Sequence, residues 1–142
     1  MLEMMIVSVI LGTLAALALP RLNEALHRAQ VARAVAEVKM VEIELYDHWS
    51  EKGALPTSLT DIGRGTLMDP WGRPYRYLRI AGGDASVGEF RKDRFLVPLN
   101  SDFDLFSMGR DGRSQSPLSA ATSQDDVVRA NDGSFVGLAS EY

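Results

Sequence analysis

The chain has 142 residues, no cysteine, 15 Lys and Arg against 19 Asp and Glu, a net charge of −4, and 46% hydrophobic residues. That length suits one modest core, and the missing thiols exclude a disulfide framework, a cysteine-ligated metal centre and a cysteine nucleophile. The acidic balance speaks against a general nucleic-acid binder, which carries a basic excess.

No charge stands between Glu3 and Arg21. Met4 to Leu19 reads MMIVSVILGTLAALAL, interrupted only by Ser8, Gly12 and Thr13, and Pro20 follows. A membrane-spanning helix takes ~20 such residues, so this run lies at the lower edge of the range. It is apolar on every side, which disfavours a core helix packed through one face. A secretory signal also fits badly, because the acid Glu3 stands where a basic residue is expected.

From Arg21 to Glu51 the pattern becomes that of an amphipathic helix. Val31, Ala34, Val35, Val38, Val41, Leu45 and Trp49 recur at three- and four-residue spacing. Arg28, Arg33, Glu37, Glu44 and Lys52 lie mostly off that stripe. Gly53 supplies the stop and Pro56 follows soon after. Residues 2–51 are therefore expected to form one helix of roughly 75 Å at 1.5 Å per residue. Gly12 and Pro20 are its weak points, with a kink or local melting expected at Pro20. The chain divides into an apolar segment (1–20), an amphipathic helical continuation (21–53) and a head (54–142).

The head opens with a loop and one short helical turn around Asp61-Ile62-Gly63. Asp69-Pro70-Trp71-Gly72 has the chemistry of a type I turn. Tyr75 to Ile80 alternates cleanly, with Tyr75, Tyr77 and Arg79 on one face, and Gly82-Gly83-Asp84 ends that strand. Arg94 to Val97 and Phe103 to Ser107 are further strand candidates. The fold class expected is α+β: a long N-terminal helix packed on a small antiparallel sheet, which covers the stripe of Val35, Val38, Leu45 and Trp49. Arg73, Arg76, Arg79, Arg91, Lys92 and Arg94 form a loose basic cluster, read either as a solvated sheet face or as a complement to an acidic surface of the next subunit.

Ser107 to Tyr142 is rich in Gly, Ser, Asp and Ala, shows little strand pattern, and is expected to be disordered unless something ties it down. Residues 102–142 hold seven acids and three bases, so the whole net charge of −4 arises there. Gly109-Arg110-Asp111-Gly112 and Gln124-Asp125-Asp126-Val127 can bring carboxylates and loop carbonyls together, the hard oxygen donors that Ca²⁺ accepts. The spacing is not that of an EF-hand: counted from Asp102, the sixth position is Ser107 and the twelfth Arg113.

Glu3 ahead of a charge-free run, Gly12, Pro20 and a helix continuing into a small head resemble the type IV pilin-like superfamily. Met1-Leu2-Glu3 matches the last three positions of that superfamily's mature start, Phe-Thr-Leu-Ile-Glu, whose phenylalanine is N-methylated. Asp69-Pro70-Trp71-Gly72-Arg73-Pro74-Tyr75, the stretch from Asp102 to Gly112, and Asp125-Asp126-Val127-Val128 narrow the resemblance to the major pseudopilins of type II secretion. The resemblance implies a structural calcium in a C-terminal loop, with Asp111 as one acid, Asp125 or Asp126 as the second, and carbonyl donation from Met108 and Val127 or Val128. It also implies that Glu3 neutralises the α-amino group of a neighbouring subunit during assembly, with Gly12 and Pro20 shaping the helix. The stretch from Arg113 to Gln124 is longer than usual for that family, and the chain continues past the acidic pair to Tyr142.

The function implied is structural. The chain would sit in the bacterial inner membrane and then polymerise through its N-terminal helix into a helical homo-oligomer that pushes exoproteins through the outer membrane. Minor pseudopilins and an inner-membrane assembly platform would be its partners, with lipid around the helix before assembly. The runner-up is a surface type IV pilin. A membrane-anchored enzyme is disfavoured: His27 and His48 are too far apart to share a site, and the serines carry no Gly-x-Ser-x-Gly or Ser-x-x-Lys arrangement.

Overall fold

The computed structural model describes residues 2–83 and 85–142. Met1, which opens the apolar segment, and Asp84, of the Gly82-Gly83-Asp84 break, lie outside the described residues. Helix α1 (Leu2–Lys52) is followed by strands β1 (Arg76–Arg79), β2 (Phe103–Ser107), β3 (Val127–Ala130) and β4 (Phe135–Leu138). Short 3-10 turns occupy Leu59–Ile62, Ala121–Ser123 and Ala139–Glu141. The chain forms two compact units, residues 1–30 and 31–142.

The first unit is helix alone. It runs through Gly12 and Pro20 without interruption, so the local melting expected at Pro20 does not occur. One missing N–H and one ring leave the turns on either side to continue the ladder. Ser8 and Thr13 turn their hydroxyls back onto the carbonyls of Met4 and Ile10, each at 2.8 Å, which satisfies them inside an apolar stretch. Residues 2–26 are exposed throughout.

The second unit begins with the last turns of α1. Ala34, Val38, Val41 and Leu45 are fully buried, and burying each Val or Leu is worth roughly 1.5–3 kcal/mol. The helix ends as its sequence requires: Gly53 takes φ +75°, and its N–H reaches the Trp49 carbonyl at 2.8 Å. Trp49 departs from expectation. It is 40% exposed and stacks on Tyr46, with ring centroids 6.2 Å apart, because its angular position carries it past the edge of the buried stripe.

The sheet is an antiparallel meander in the order β1-β2-β3-β4. Phe103 and Leu105 of β2, with Val127 of β3, meet the helix stripe together with Tyr75, Leu55 and Leu59. Phe106, Val128 and Ala130 point to the other side, where Leu99, Leu118, Ala139 and Phe135 complete a second, smaller core. The Asp69 turn forms as expected. The Gly72 N–H donates to the Asp69 carbonyl at 2.9 Å, and Asp69 Oδ1 accepts the N–H groups of Trp71 and Arg73.

Two expectations are corrected. Arg94 to Val97 is a turn, not a strand: Arg94 takes φ +48°, Asp93 pairs with Leu96 across it, and Phe95 is fully exposed. With no apolar surface covering it, nothing holds this run extended. The C-terminal tail is ordered rather than loose. It supplies β3 and β4, joined at Asn131-Asp132-Gly133, all three of which take positive φ.

Candidate functional site

The residues singled out from the sequence fall in two places: the apolar segment that begins with Glu3, and the acidic loop that runs from Met108 to Val127. Glu3 lies in the first turn of α1, where a carboxylate meets the unpaired N–H groups of the helix start favourably. Gly12 and Pro20 lie on the same helix, and the position of a Gly12 Cβ is open space. The helix is long and apolar enough to cross a membrane.

Two buried arginines, each on its own side of the sheet, gather the acids of the head: Arg129 ties β3 to α1 and Asp102, and Arg91 holds the acidic loop. Alternation along β3 decides the sides. Val127 and Arg129 face the helix, whereas Val128 and its neighbour Asp126 face away. Arg129 is completely buried. Its guanidinium grips Asp102 with two parallel hydrogen bonds of 2.8 Å, donates to Glu42 at 2.6 Å and to the Tyr46 hydroxyl at 2.8 Å, and lies 4.1 Å from the Phe103 ring centroid. Burial pushes the Asp102 carboxyl up, but the Arg129 guanidinium and the Tyr46 hydroxyl together hold it below its ordinary value.

On the outer side, Arg91 is 4% exposed and Asp126 is fully buried, and the two meet at 2.7 Å. Arg91 also donates to the Ser114 hydroxyl and to the Gln115 carbonyl. Its guanidinium lies 4.3 Å from the centroid of Phe106. Ser114 donates to the same Asp126 oxygen at 2.5 Å, while Asp126 Oδ1 is buried without a hydrogen-bond partner among the described residues. Burial pushes the Asp126 carboxyl up to about 6, against the pull of Ser114 and Arg91, and burial likewise raises Asp104.

These opposite shifts set a pH profile. A carboxyl raised to about 6 binds its proton earlier in the folded state than in the unfolded one, so stability falls as pH rises through that range. Asp102 and Glu44 are lowered, so their stabilisation is present above ordinary carboxylate values and is lost as pH falls below them. The melting temperature is therefore expected to peak near pH 4, roughly where the unfolded carboxyls titrate, and to fall on either side. Melting curves across the acid range, with a peak at neutral pH or above, would contradict this assignment.

Of the expected calcium ligands, Asp111 and Asp125 come together. The Asp111 N–H donates to Asp125 Oδ2 at 2.9 Å, and Asp111 Oδ1 accepts from the Arg113 N–H at 2.7 Å. Gly109, at φ +62°, lets the Asp125 main chain close in: a Cβ there would lie 2.1 Å from the Asp125 carbonyl oxygen. These carboxylates and the adjacent carbonyl are hard oxygens, a donor chemistry that suits Ca²⁺. Asp126 instead faces Arg91, Val127 is buried in the helix-side core, and Met108 borders the outer-side groove with Phe106 and Ser114. Among the described residues, no three Asp, Glu or His side chains gather as a metal-holding group.

The basic cluster read from the sequence is dispersed. Arg91 is buried, Arg79 donates to the Leu55 carbonyl at 3.2 Å, Arg73 reaches the Gly109 carbonyl at 2.9 Å, and Arg76 is exposed. Arg73, Arg91 and Ser114 were not legible as loop-holding residues, nor Arg129 as the tie between helix and sheet. The one signal was arithmetic: an acidic tail that must order itself needs cations from elsewhere in the chain.

No family model and no solved structure matches the chain. It is 30% identical over 135 residues to the type II secretion system core protein G of Aeromonas hydrophila, covering 79% of this chain and 81% of that protein. It is 29% identical over 136 residues to the protein of the same name from Pseudomonas aeruginosa, covering 80% and 82%. With the long apolar helix, the antiparallel head and the Asp69 turn already in place, the chain belongs to the family of the type II secretion system core protein G, the pseudopilin family that its sequence resembles.

Proposed function

We propose that the chain is the repeating subunit of a pseudopilus in type II secretion, anchored in the bacterial inner membrane by the first part of α1 and then polymerised through it. The observation that carries this reading is the charge-free surface of residues 4–20, exposed along its whole length. So large an apolar surface needs lipid before assembly and other copies of itself afterwards. Polymerisation by a repeated heterologous contact grows an open helical filament rather than a closed ring. Minor pseudopilins and an inner-membrane platform are the partners that this role calls for. The chain would act by mechanical displacement of exoproteins and not by catalysis. Glu3 would neutralise the α-amino group of a neighbouring copy, and a Ca²⁺ would bind at the acidic loop with Asp111 and Asp125 as its carboxylates and main-chain oxygens of the loop around it. Bound there, the ion would supply charge neutralisation and loop cross-linking.

Deletion of the gene in its own host tests the role. Exoproteins are expected to accumulate in the periplasm and to return to the medium on complementation. Unimpaired secretion together with loss of long surface fibres would overturn the pseudopilus reading.

A further inference from the structure

The connection between β1 and β2 runs over residues 80–102, far longer than the roughly 2–5 residues that join most hairpins. Its outer part is closed on itself. The Leu99 N–H donates to the Arg91 carbonyl at 2.9 Å, and Asp93 and Leu96 exchange backbone bonds of 3.1 and 2.7 Å, so residues 91–99 form a small hairpin. Its base is fastened to the sheet, where the Arg91 N–H donates to Asp104 Oδ2 at 2.7 Å. At the tip Arg94 takes φ +48°, a conformation that persists in a non-glycine residue only where the surroundings fix it. The bend leaves Phe95 wholly exposed and Leu96 49% exposed, with Arg94 beside them in solvent. A closed, strained turn that exposes a phenylalanine offers a preorganised anchor for another surface.

A matching surface lies on the other side of the head. The outer face of α1 carries Ala32, Ala36, Ile43 and Asp47, all exposed, and Ile43 is 61% exposed. That face is opposite Ala34, Val41 and Leu45, which pack on the sheet. The hairpin belongs to the far side, since Leu99 at its base is buried with Val128 and Ala130 in the second core. The two patches therefore point away from each other and cannot meet within one head. Ala36 leaves room beside Ile43 for a ring, and Asp47, four residues on, offers a carboxylate to Arg94. Neither Arg94 nor Asp47 enters an ion pair among the described residues. Patches that complement each other from opposite sides of one molecule join copies in an open series and do not close a dimer.

We infer that the Phe95 hairpin of one head docks on the outer face of α1, at Ala36 and Ile43, of a second copy, with Arg94 meeting Asp47. The inference rests on the pseudopilus reading and adds a contact between heads to the contact between apolar helices.

The chain has no cysteine, so introduced cysteines report the contact directly in the host deletion strain. Mild oxidation of sheared Arg94→Cys/Asp47→Cys filaments is expected to give a ladder of disulfide-linked multimers, and each single variant none. Phe95→Ser is expected to melt with the wild type in detergent micelles, because the ring is wholly exposed, yet to lower filament yield about tenfold or more. Arg94→Glu and Asp47→Lys should each lower the yield, and the two together should restore it. Wild-type filament yield from Phe95→Ser, or filaments of the paired cysteine variant that give no ladder, would overturn the contact. Dimers from Arg94→Cys alone would show hairpin meeting hairpin and overturn it too. Loss of secretion by Phe95→Ser with filaments at normal yield would assign the hairpin to an exoprotein instead. If the wild type forms no filaments and its deletion leaves secretion unimpaired, the pseudopilus reading itself fails, and the contact with it.

Discussion

Arg129→Met is expected to be the most damaging single substitution in the head. It would remove the donor to Asp102, Glu42 and Tyr46 together and leave the buried Asp102 carboxylate without a counter-charge. Breaking a buried ion pair from one side costs about 3–5 kcal/mol, which for a unit of this size lowers the melting temperature by on the order of 15 °C. The cost comes from the orphaned carboxylates, since methionine fills most of the vacated volume. Arg129→Met combined with Asp102→Asn and Glu42→Gln should therefore recover much of the loss. By contrast, Arg33→Ala breaks only the exposed pair with Glu37 at 2.8 Å, a contact worth at most about 1 kcal/mol. Thermal unfolding of the four proteins measures the ordering. An Arg129→Met protein that melts within a few degrees of wild type would show that the guanidinium is not the link between helix and sheet.

That network also explains what could be read from the chain and what could not. The helix was legible because apolar residues at three- and four-residue spacing need only one partner surface, and because Gly53 marks its end. The Asp69 turn was legible because Asp, Pro and Gly each act locally. The strands β3 and β4 were not recognised, although Asp132-Gly133 between Val127-Val128 and Phe135-Val136 is a hairpin signal. Arg129 and the acids around it gave the segment a polar texture, and polarity was read as solvation. A buried arginine in a strand looks like a surface arginine until its three partners, drawn from α1 and from the residue before β2, are brought to it. The same holds for Asp126. Sequence spacing groups it with Asp111 and Asp125, but strand alternation turns it to the opposite side of the sheet, towards Arg91. The assignment of Arg94 to Val97 as a strand failed for the complementary reason: its apolar residues found no surface to cover them.

Glu3→Leu is expected to leave membrane insertion intact and to abolish filament assembly. In lipid the first turn of α1 lies close to the end of the apolar segment, where a carboxylate can keep its water, so leucine there only lengthens the apolar run. In a filament core the same position is enclosed by other helices. A carboxylate enclosed without a partner is destabilising by several kcal/mol, and the positive end of one helix does not offset that. Glu3 is therefore tolerable in a polymer only if a cation of the neighbouring copy meets it, the role proposed above for that copy's α-amino group. Replacing Glu3 with leucine removes the carboxylate but strands the amine of the next copy, and loss of a 3–5 kcal/mol contact at every repeat lowers filament yield by at least about a hundredfold. Glu3→Asp keeps the charge on a shorter arm and should retain part of the assembly. Membrane fractionation, with electron microscopy of sheared filaments from cells making each variant, separates insertion from polymerisation. Filaments of normal number and length from Glu3→Leu would remove Glu3 from the assembly contact and leave its place at the helix start as its whole role.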